Sequence, residues 1–191
     1  MSLLLAAITM AFAAPAGWEL FDSQSGCEYY RSPKTESGYP TLRAECVWDD
    51  VTPATLDTIL TDLGGHNKVH SSIAEATVVS TDSTGSVVYQ RHVASGISDR
   101  EANLLYTRAV SGDTITHAWD MTAAQPTPKD GNVVPGKDKG KWELSPSGSG
   151  AKVIYELHYE PSGSVPGFVV RAFQTSGFVL LTQELHKAGQ G

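Results

Sequence analysis

The segment from residue 164 to 187 constrains the fold more than any other part of the sequence, because it predicts a long helix that is apolar around most of its circumference. Ser164 is the predicted N-cap and Pro166 an early helical position, since both residue types favour helix starts. At about 100° per residue, one broad apolar arc holds Phe168, Val169, Ala172, Phe173, Val179 and Leu180, and a second widens it with Val170, Phe178, Leu181 and Leu185. A surface helix needs one buried face, so this helix is expected to bury more than one.

Most of the chain before this helix predicts β-strands. Apolar and polar residues alternate in segments separated by Gly-, Asp- and Ser-rich turns, a pattern typical of antiparallel strands. The predicted strands are 27–31, 42–48, 77–81, 86–94, 102–110, 114–122, 141–145 and 152–159. One early helix is predicted over residues 52–65, with Thr52 as N-cap, Pro53 at the first helical position and a Gly-Gly stop.

These elements together predict an α+β fold. A strongly twisted antiparallel sheet of this size has to curl, and the long apolar helix is the element around which it can curl. We therefore expect a curved antiparallel β-sheet wrapped around the C-terminal helix. The alternation puts Ile115, His117, Trp119 and Met121 on one face of their strand, as it does Val153, Tyr155, Leu157 and Tyr159 on theirs.

Length and charge limit the classes of function. A chain of 191 residues is expected to form one domain. The net charge of −7 argues against nucleic-acid binding, which depends on clustered Lys and Arg, and against strong adsorption to anionic lipid. Residues 1–16 carry no charge, contain an apolar run and end in two A-x-A patterns. We expect a signal peptide there, and hence a periplasmic or secreted bacterial protein, rather than a frayed apolar terminus.

Three stretches carry a resemblance to a known family. They are GWELFDSQSGCEYYRSP, starting at residue 17, GISDREANLLYTR, starting at 96, and KWELSPSGSGAKVIYELHYEPSGSVPGFVVR, starting at 141. In order and spacing they resemble the StAR-related lipid-transfer (START) domain of the helix-grip superfamily. Arg100 falls on a motif arginine, Glu101 stands where the motif has aspartate, and Pro166 falls on the final proline. The resemblance covers roughly residues 17 to 187, so 17–191 is expected to be a START-like domain.

The resemblance implies a helix-grip fold with an internal hydrophobic cavity between sheet and helix. It implies non-catalytic binding and transfer of one lipid, sterol or hopanoid-like ligand, with transient membrane contact and no cofactor. The turn at residues 94–99 corresponds to the family's gate over the entrance. Helix-grip relatives also include polyketide cyclases and aromatases, so a cyclase-like enzyme is the alternative function, with His117, Tyr106 and Arg108 as its inward candidates. A lipocalin-like barrel is a third reading.

The predicted ligand-binding residues come from the inward strand faces and from the helix. They are Leu104, Tyr106, Arg108, Trp119, Met121, Tyr155, Leu157, Phe168, Val169, Phe173 and Leu180. Near the position where the family often has a cavity carboxylate, this chain has Gln90. Arg108 has two interpretations, a strand-end arginine reaching water or a cavity arginine binding a polar ligand group.

Histidine and cysteine pairs are the remaining candidates. His66 and His70 have the spacing of two metal ligands on a helix, but two ligands do not complete a site, and a surface pair is expected instead. Cys27 and Cys46 fall nearly opposite each other in the first predicted hairpin. Two states are open to them, a disulfide or two reduced thiols packed as small core residues.

Overall fold

A single antiparallel sheet of nine strands dominates the computed structural model, which describes residues 14–129 and 131–191. The predicted signal peptide, residues 1–16, lies almost entirely outside the described residues. The strands are β1 (Glu19–Gln24), β2 (Cys27–Arg31), β3 (Thr41–Trp48), β4 (Ile73–Asp82), β5 (Gly85–His92), β6 (Arg100–Ser111), β7 (Thr114–Met121), β8 (Lys137–Ser147) and β9 (Gly150–Glu160).

The strand order is β1-β2-β3-β9-β8-β7-β6-β5-β4, so the sheet consists of two meanders that meet where β3 pairs with β9. All eight predicted strands are confirmed, although β4 and β8 are about twice as long as the predicted 77–81 and 141–145. β1 is an additional strand that alternation alone did not predict. Buried side chains alternate along β7, β8 and β9, which leaves one face of the sheet for the core. The predicted α+β class and curved antiparallel sheet are confirmed.

The early helical region divides into three short elements: α1 (Pro53–Thr61), a 3₁₀ turn (Leu63–Gly65) and α2 (His66–Val69). Thr52 caps α1 as predicted, because its side-chain oxygen accepts a hydrogen bond from the backbone N–H of Thr55 at 3.2 Å. Leu56 and Leu60 bury the inner face of α1. The helix ends at Thr61, three residues before the first glycine of the predicted Gly-Gly stop, and the glycines belong to the 3₁₀ turn instead.

The C-terminal helix is continuous from residue 167 to 190, but its middle is a π-helix. It consists of α3 (Gly167–Ala172), the π segment (Phe173–Gly177) and α4 (Phe178–Gln190). Its N-cap is Pro166, not the predicted Ser164. Four residues of α4 are buried, namely Phe178, Val179, Thr182 and Leu185, whereas α3 and the π segment have none. Its second half is therefore anchored in the core, and its first half lies more loosely over the sheet.

The two cysteines are directly opposite each other on β2 and β3 and form a disulfide. Both are buried in the core. The hairpin register that the sequence left open thus brings their side chains to the same face. Among residues 14–129 and 131–191, no helix combines the length and the apolar character that a membrane crossing requires.

Candidate ligand-binding cavity

A cavity of about 150 Å³ lies between the concave face of the sheet and the C-terminal helix. Strands β5 to β9 contribute alternate side chains to its wall, because side chains of a strand point to each face in turn. The helix closes it from the other side. The wall is mainly apolar, and its larger members are Trp119, Trp142, Tyr155, Leu157, Val169 and Phe173.

Stacked aromatic rings form the floor of the cavity. The ring of Tyr155 lies between Trp142, at 3.7 Å between ring centroids, and Phe178, at 5.0 Å, with the three rings nearly parallel. Tyr106 stacks on Trp119 at 5.7 Å. Rings packed in this way have few rotamers available, so the floor is a rigid surface against which an apolar molecule can lie.

Polar side chains gather at one place in this apolar wall, around Asp138. The indole N–H of Trp119 donates a 2.8 Å hydrogen bond to Asp138 Oδ1, and His92 Nδ1 lies 3.6 Å from Asp138 Oδ2. His92 Nε2 is 3.0 Å from Gln90 Oε1, and Gln90 Nε2 donates to the Tyr106 hydroxyl at 3.1 Å. Asp138 and Gln90 are buried, so the cluster is secluded from bulk solvent.

The donors and acceptors of this cluster can be assigned one after another, starting from the carbonyl oxygen of Leu60. His66 Nε2 lies 3.1 Å from the carbonyl oxygen of Leu60, which only accepts, so this nitrogen carries the proton. His66 Nδ1 then accepts from Gln90 Nε2 at 3.3 Å. Gln90 Oε1 accepts from His92 Nε2–H, which leaves His92 Nδ1 facing Asp138. The 3.6 Å between His92 Nδ1 and Asp138 Oδ2 is longer than a hydrogen bond, so the hydrogen-bonded chain ends at His92.

Burial governs the protonation of these groups. It lowers the pKa of His66 to about 4, against the opposing effect of the Leu60 carbonyl. It also lowers the pKa of His92 and raises the pKa of Asp138, in each case against the attraction between the two. Because the low dielectric penalises every charged form, the cluster favours its neutral state.

The turn after β5 and the first half of the C-terminal helix line one end of the cavity. Ala94 and Ile97 line it on one side, and Val165 and Val170 on the other. Arg100 joins the two sides, because its guanidinium donates to the carbonyl oxygens of Ser98, Pro161 and Ser162. One buried arginine thus holds together the two segments at this end of the cavity.

Comparison with known proteins identifies this architecture. No family model matches the chain. A relative in Pseudomonas aeruginosa, the uncharacterized protein PA1579, is 26% identical over 161 residues, which are 82% of this chain and 78% of that protein. The structure of a STAR-related lipid transfer protein from Xanthomonas axonopodis is similar with a TM-score of 0.75 at 22% identity, covering 89% of this chain and 99% of that one. The structure of human StAR-related lipid transfer protein 5 is similar with a TM-score of 0.81 at 20% identity, covering 92% of this chain and 87% of that one.

The protein has the START fold. The helix-grip architecture expected from the three sequence stretches is therefore confirmed, and the lipocalin-like barrel is wrong. In this fold the sheet stays open at β1 and β4, and helices α1 and α2 lie between β3 and β4.

The START fold brings six of the eleven predicted ligand-binding residues into the cavity wall. These are Tyr106, Trp119, Tyr155, Leu157, Val169 and Phe173. Leu104 and Met121, a register pair of β6 and β7, pack with the core and do not line the cavity. Contact of the six with a ligand stays a prediction.

Phe168 and Leu180 do not line the cavity, contrary to the prediction; both are exposed, by 65% and 44%. The π segment explains Leu180, since it adds one residue to the turn and shifts every later side chain around the axis. Leu181 lines the wall instead, and Thr182 is buried. Phe168 is exposed because the side of the helix that faces the cavity begins one residue later and carries Val169, Val170 and Phe173.

Arg108 lies outside the cavity, which excludes the interpretation of a cavity arginine. Its guanidinium forms two hydrogen bonds with the carboxylate of Asp57 in α1, at 2.7 and 2.8 Å. His117 Nε2 lies 2.8 Å from the same carboxylate, and His117 does reach the cavity wall. No sequence pattern indicates this partner, because Asp57 precedes Arg108 by 51 residues and only the fold brings them together.

His66 and His70 are buried in the cavity wall, so the expectation of a surface pair is wrong. The 3₁₀ turn after α1 folds both rings inwards, where His70 stacks on Trp142. Asp138 and His92 were missed as site residues. The available signal was alternation along β8, which puts Asp138 on the same face as Trp142 and Leu144.

Proposed function

We propose that the protein binds a single hydrophobic ligand, a lipid, sterol or hopanoid-like molecule, in this cavity and transfers it without catalysis. The observation that carries the proposal is the aromatic-lined cavity between the sheet and the C-terminal helix. Burial of apolar ligand surface supplies about 25 cal/mol per Å², so affinity is expected to follow the size and shape of the ligand. The StAR-related lipid transfer proteins that share the fold support the same function.

Non-catalytic binding is favoured because the acid–base groups of the wall bind one another. Hydrogen bonds join His66, Gln90 and His92, and Asp138 accepts one from Trp119. A cyclase-like enzyme is the second candidate, and the pairing of His117 with Asp57 favours it, since a carboxylate orients the ring in many general bases. Conversion of a bound polyketide chain by the wild type, lost in His117→Phe, would support the enzyme over the carrier.

Transfer is proposed to involve transient membrane contact through the exposed Phe168 at the start of the C-terminal helix. At a net charge of −7, insertion of an apolar side chain is a better source of contact than attraction to anionic lipid. We further propose export to the periplasm or to the medium. The disulfide supports this location, because disulfides persist in oxidising compartments.

Two helix variants provide a matched test of the cavity. Phe173→Asp places a charge in the wall, whereas Leu180→Asp places the same charge on the outer face of the same helix. We expect the first to abolish binding of a fluorescent sterol or fatty acid and the second to retain it, with equal circular dichroism spectra. Equal binding by both variants would exclude the cavity as the binding site.

Native extraction identifies the ligand. The protein is purified from its own host, and co-purifying molecules are released into organic solvent and identified by mass spectrometry. One stoichiometric lipid supports the carrier, and a polyketide-like product supports the enzyme.

A further inference from the structure

The sheet splits at one end of the pairing between β7 and β8. The main-chain ladder that joins them ends at the pair Trp119 and Gly140, although β7 continues for two residues and β8 begins three residues earlier. In the register of the described residues, 120–121 pair with β6 alone and 137–139 pair with β9 alone. The two meanders of the sheet therefore separate here, and side chains rather than main-chain bonds cross the split.

A groove of about 420 Å³ lies on the convex face of the sheet at this split. Its lining includes Leu105, Thr107 and Ala118, which alternate with residues of the concave face and so point outwards. The internal cavity reaches the same place from the concave face, because Trp119 and Leu157 line both the cavity and the groove. A single layer of the sheet therefore separates the cavity from the outer surface.

The indole ring of Trp119 covers the split from the inside. The ring lies over Gly140, which has no side chain, and its N–H donates to Asp138 at 2.8 Å. The ring of Tyr106 stacks on it at 5.7 Å between ring centroids. Because no side chain at position 140 stands behind the indole, rotation of this one side chain would uncover the split.

Asp120 covers the split from the outside by two ion pairs. Its carboxylate lies 2.9 Å from Lys137 Nζ and 3.2 Å from Lys139 Nζ, so it bridges the two strands where the ladder has ended. The three side chains are exposed by 38–62%. Ion pairs at such exposure contribute little to stability and are screened by salt. The outer closure can therefore open at a small cost in free energy.

We propose that the split is a passage for water between the convex face and the cavity, closed by Trp119 inside and by the Asp120 ion pairs outside. It ends next to Asp138, a buried carboxyl that holds the indole N–H. The split involves two residues of β7 and three of β8, which suits water rather than an apolar chain. Water displaced when an apolar ligand fills the cavity can leave by this route; this role rests on the proposed function, whereas the passage itself does not.

Hydrogen–deuterium exchange of the Trp119 indole N–H tests the passage in the purified full chain without ligand. Nuclear magnetic resonance follows this N–H together with the main-chain amides of β8 and β9. The slowest of these amides exchange only when the whole protein unfolds, so they give the rate of global opening in the same sample. We expect the Trp119 N–H to exchange faster than these amides, through local opening of the split.

Two variants on the convex face assign the opening to the split. Asp120→Asn weakens both ion pairs at nearly unchanged side-chain size, and should accelerate Trp119 exchange about 2- to 30-fold, the range for two exposed pairs. Salt at about 0.5 M should accelerate exchange in the wild type as well. Lys141→Gln is the matched control. Lys141 also forms ion pairs on the outer face of β8, but it lies opposite Ala118, where the ladder is intact.

Selective acceleration by Asp120→Asn, with unchanged slow amides, supports the passage. If Asp120→Asn leaves Trp119 exchange unchanged, the passage is wrong, because water then reaches the indole by another route or only on unfolding. Equal acceleration by Asp120→Asn and Lys141→Gln also overturns it, since the whole sheet would then have loosened. Binding of a fluorescent fatty acid is measured separately. Its absence would count against the proposed function and leave the passage standing.

Discussion

The indole ring of Trp119 lies over Gly140, the residue directly opposite it on the neighbouring strand. The two are a register pair of β7 and β8, and a Cβ atom at position 140 would lie 2.4 Å from Trp119 Cζ2 and 2.6 Å from the carbonyl oxygen of Glu156. Only glycine leaves room for the ring to lie flat. This placement lets the indole N–H reach Asp138 and forms part of the cavity floor.

Gly140→Ala is therefore expected to displace Trp119 and to lower the free energy of unfolding by about 1–3 kcal/mol, the usual cost of overpacking. Chemical denaturation measures the loss, and the indole N–H resonance of Trp119 reports the broken bond to Asp138. Gly64→Ala is the control, because a Cβ there meets nothing within 4 Å. An unchanged Trp119 resonance in Gly140→Ala would contradict this prediction.

The buried His66 predicts a loss of stability in acid. Its pKa is about 4 in the folded chain, because of burial, and about 6.5 when unfolded. Since the folded value is the lower one, the unfolded state binds the proton more readily. The contribution of His66 is therefore complete above pH ~6.5 and is lost as pH falls to about 4. The difference between the folded and unfolded pKa values of His66 corresponds to about 3 kcal/mol in the free energy of unfolding.

His66→Gln can keep a donor to the Leu60 carbonyl but cannot titrate. Urea denaturation at several pH values between 7 and 4 should show a smaller loss of stability in this variant than in the wild type. The loss should not vanish, because the pKa of His92 and of His117 is also lowered by burial. Parallel curves for variant and wild type would refute the assignment.

The disulfide between Cys27 and Cys46 is expected to stabilise the fold by closing a loop of 19 residues. Its removal in the double Cys→Ser variant should cost on the order of 3 kcal/mol. Mass measurement after alkylation of the denatured protein should find no adduct without reduction and two adducts after it. Two adducts on unreduced material purified from the periplasm would show that the bond is absent in the native source.

Ligand exchange is expected to need movement of the turn at residues 94–99 against the C-terminal helix. Ile97 and Val169 line the cavity from the two sides. The part of the helix around Val169 is not packed into the core, since the buried residues of the helix begin at Phe178. Cysteines introduced at positions 97 and 169 can be joined by a short bis-maleimide, because Cys27 and Cys46 are bonded to each other.

Crosslinking should slow transfer of a fluorescent lipid between vesicles at least about tenfold and leave previously loaded ligand in place. Each single-cysteine variant, treated with the same reagent, is the control for modification without a tether. Unchanged transfer in the tethered protein would show that ligand enters by another route.

Periodicity in the sequence determined the sheet, the early helix and the C-terminal helix, because each is a local pattern with its own repeat. It also put Trp119 and Tyr155 on inward faces, and the hairpin geometry brought Cys27 and Cys46 into opposition. Periodicity failed at Leu180, since five residues of π-helix change the phase and nothing in the local pattern marks where a turn widens.

Only the tertiary structure decided which inward side chains meet. The buried cluster from His66 through Gln90 and His92 to Asp138 draws on α2, β5 and β8, and Asp57 reaches Arg108 and His117 from α1. A strand pattern tells which face a residue occupies but not which residue of a distant strand lies beside it. That neighbour is set by the register and curvature of the whole sheet, which arise when the sheet closes around its helix.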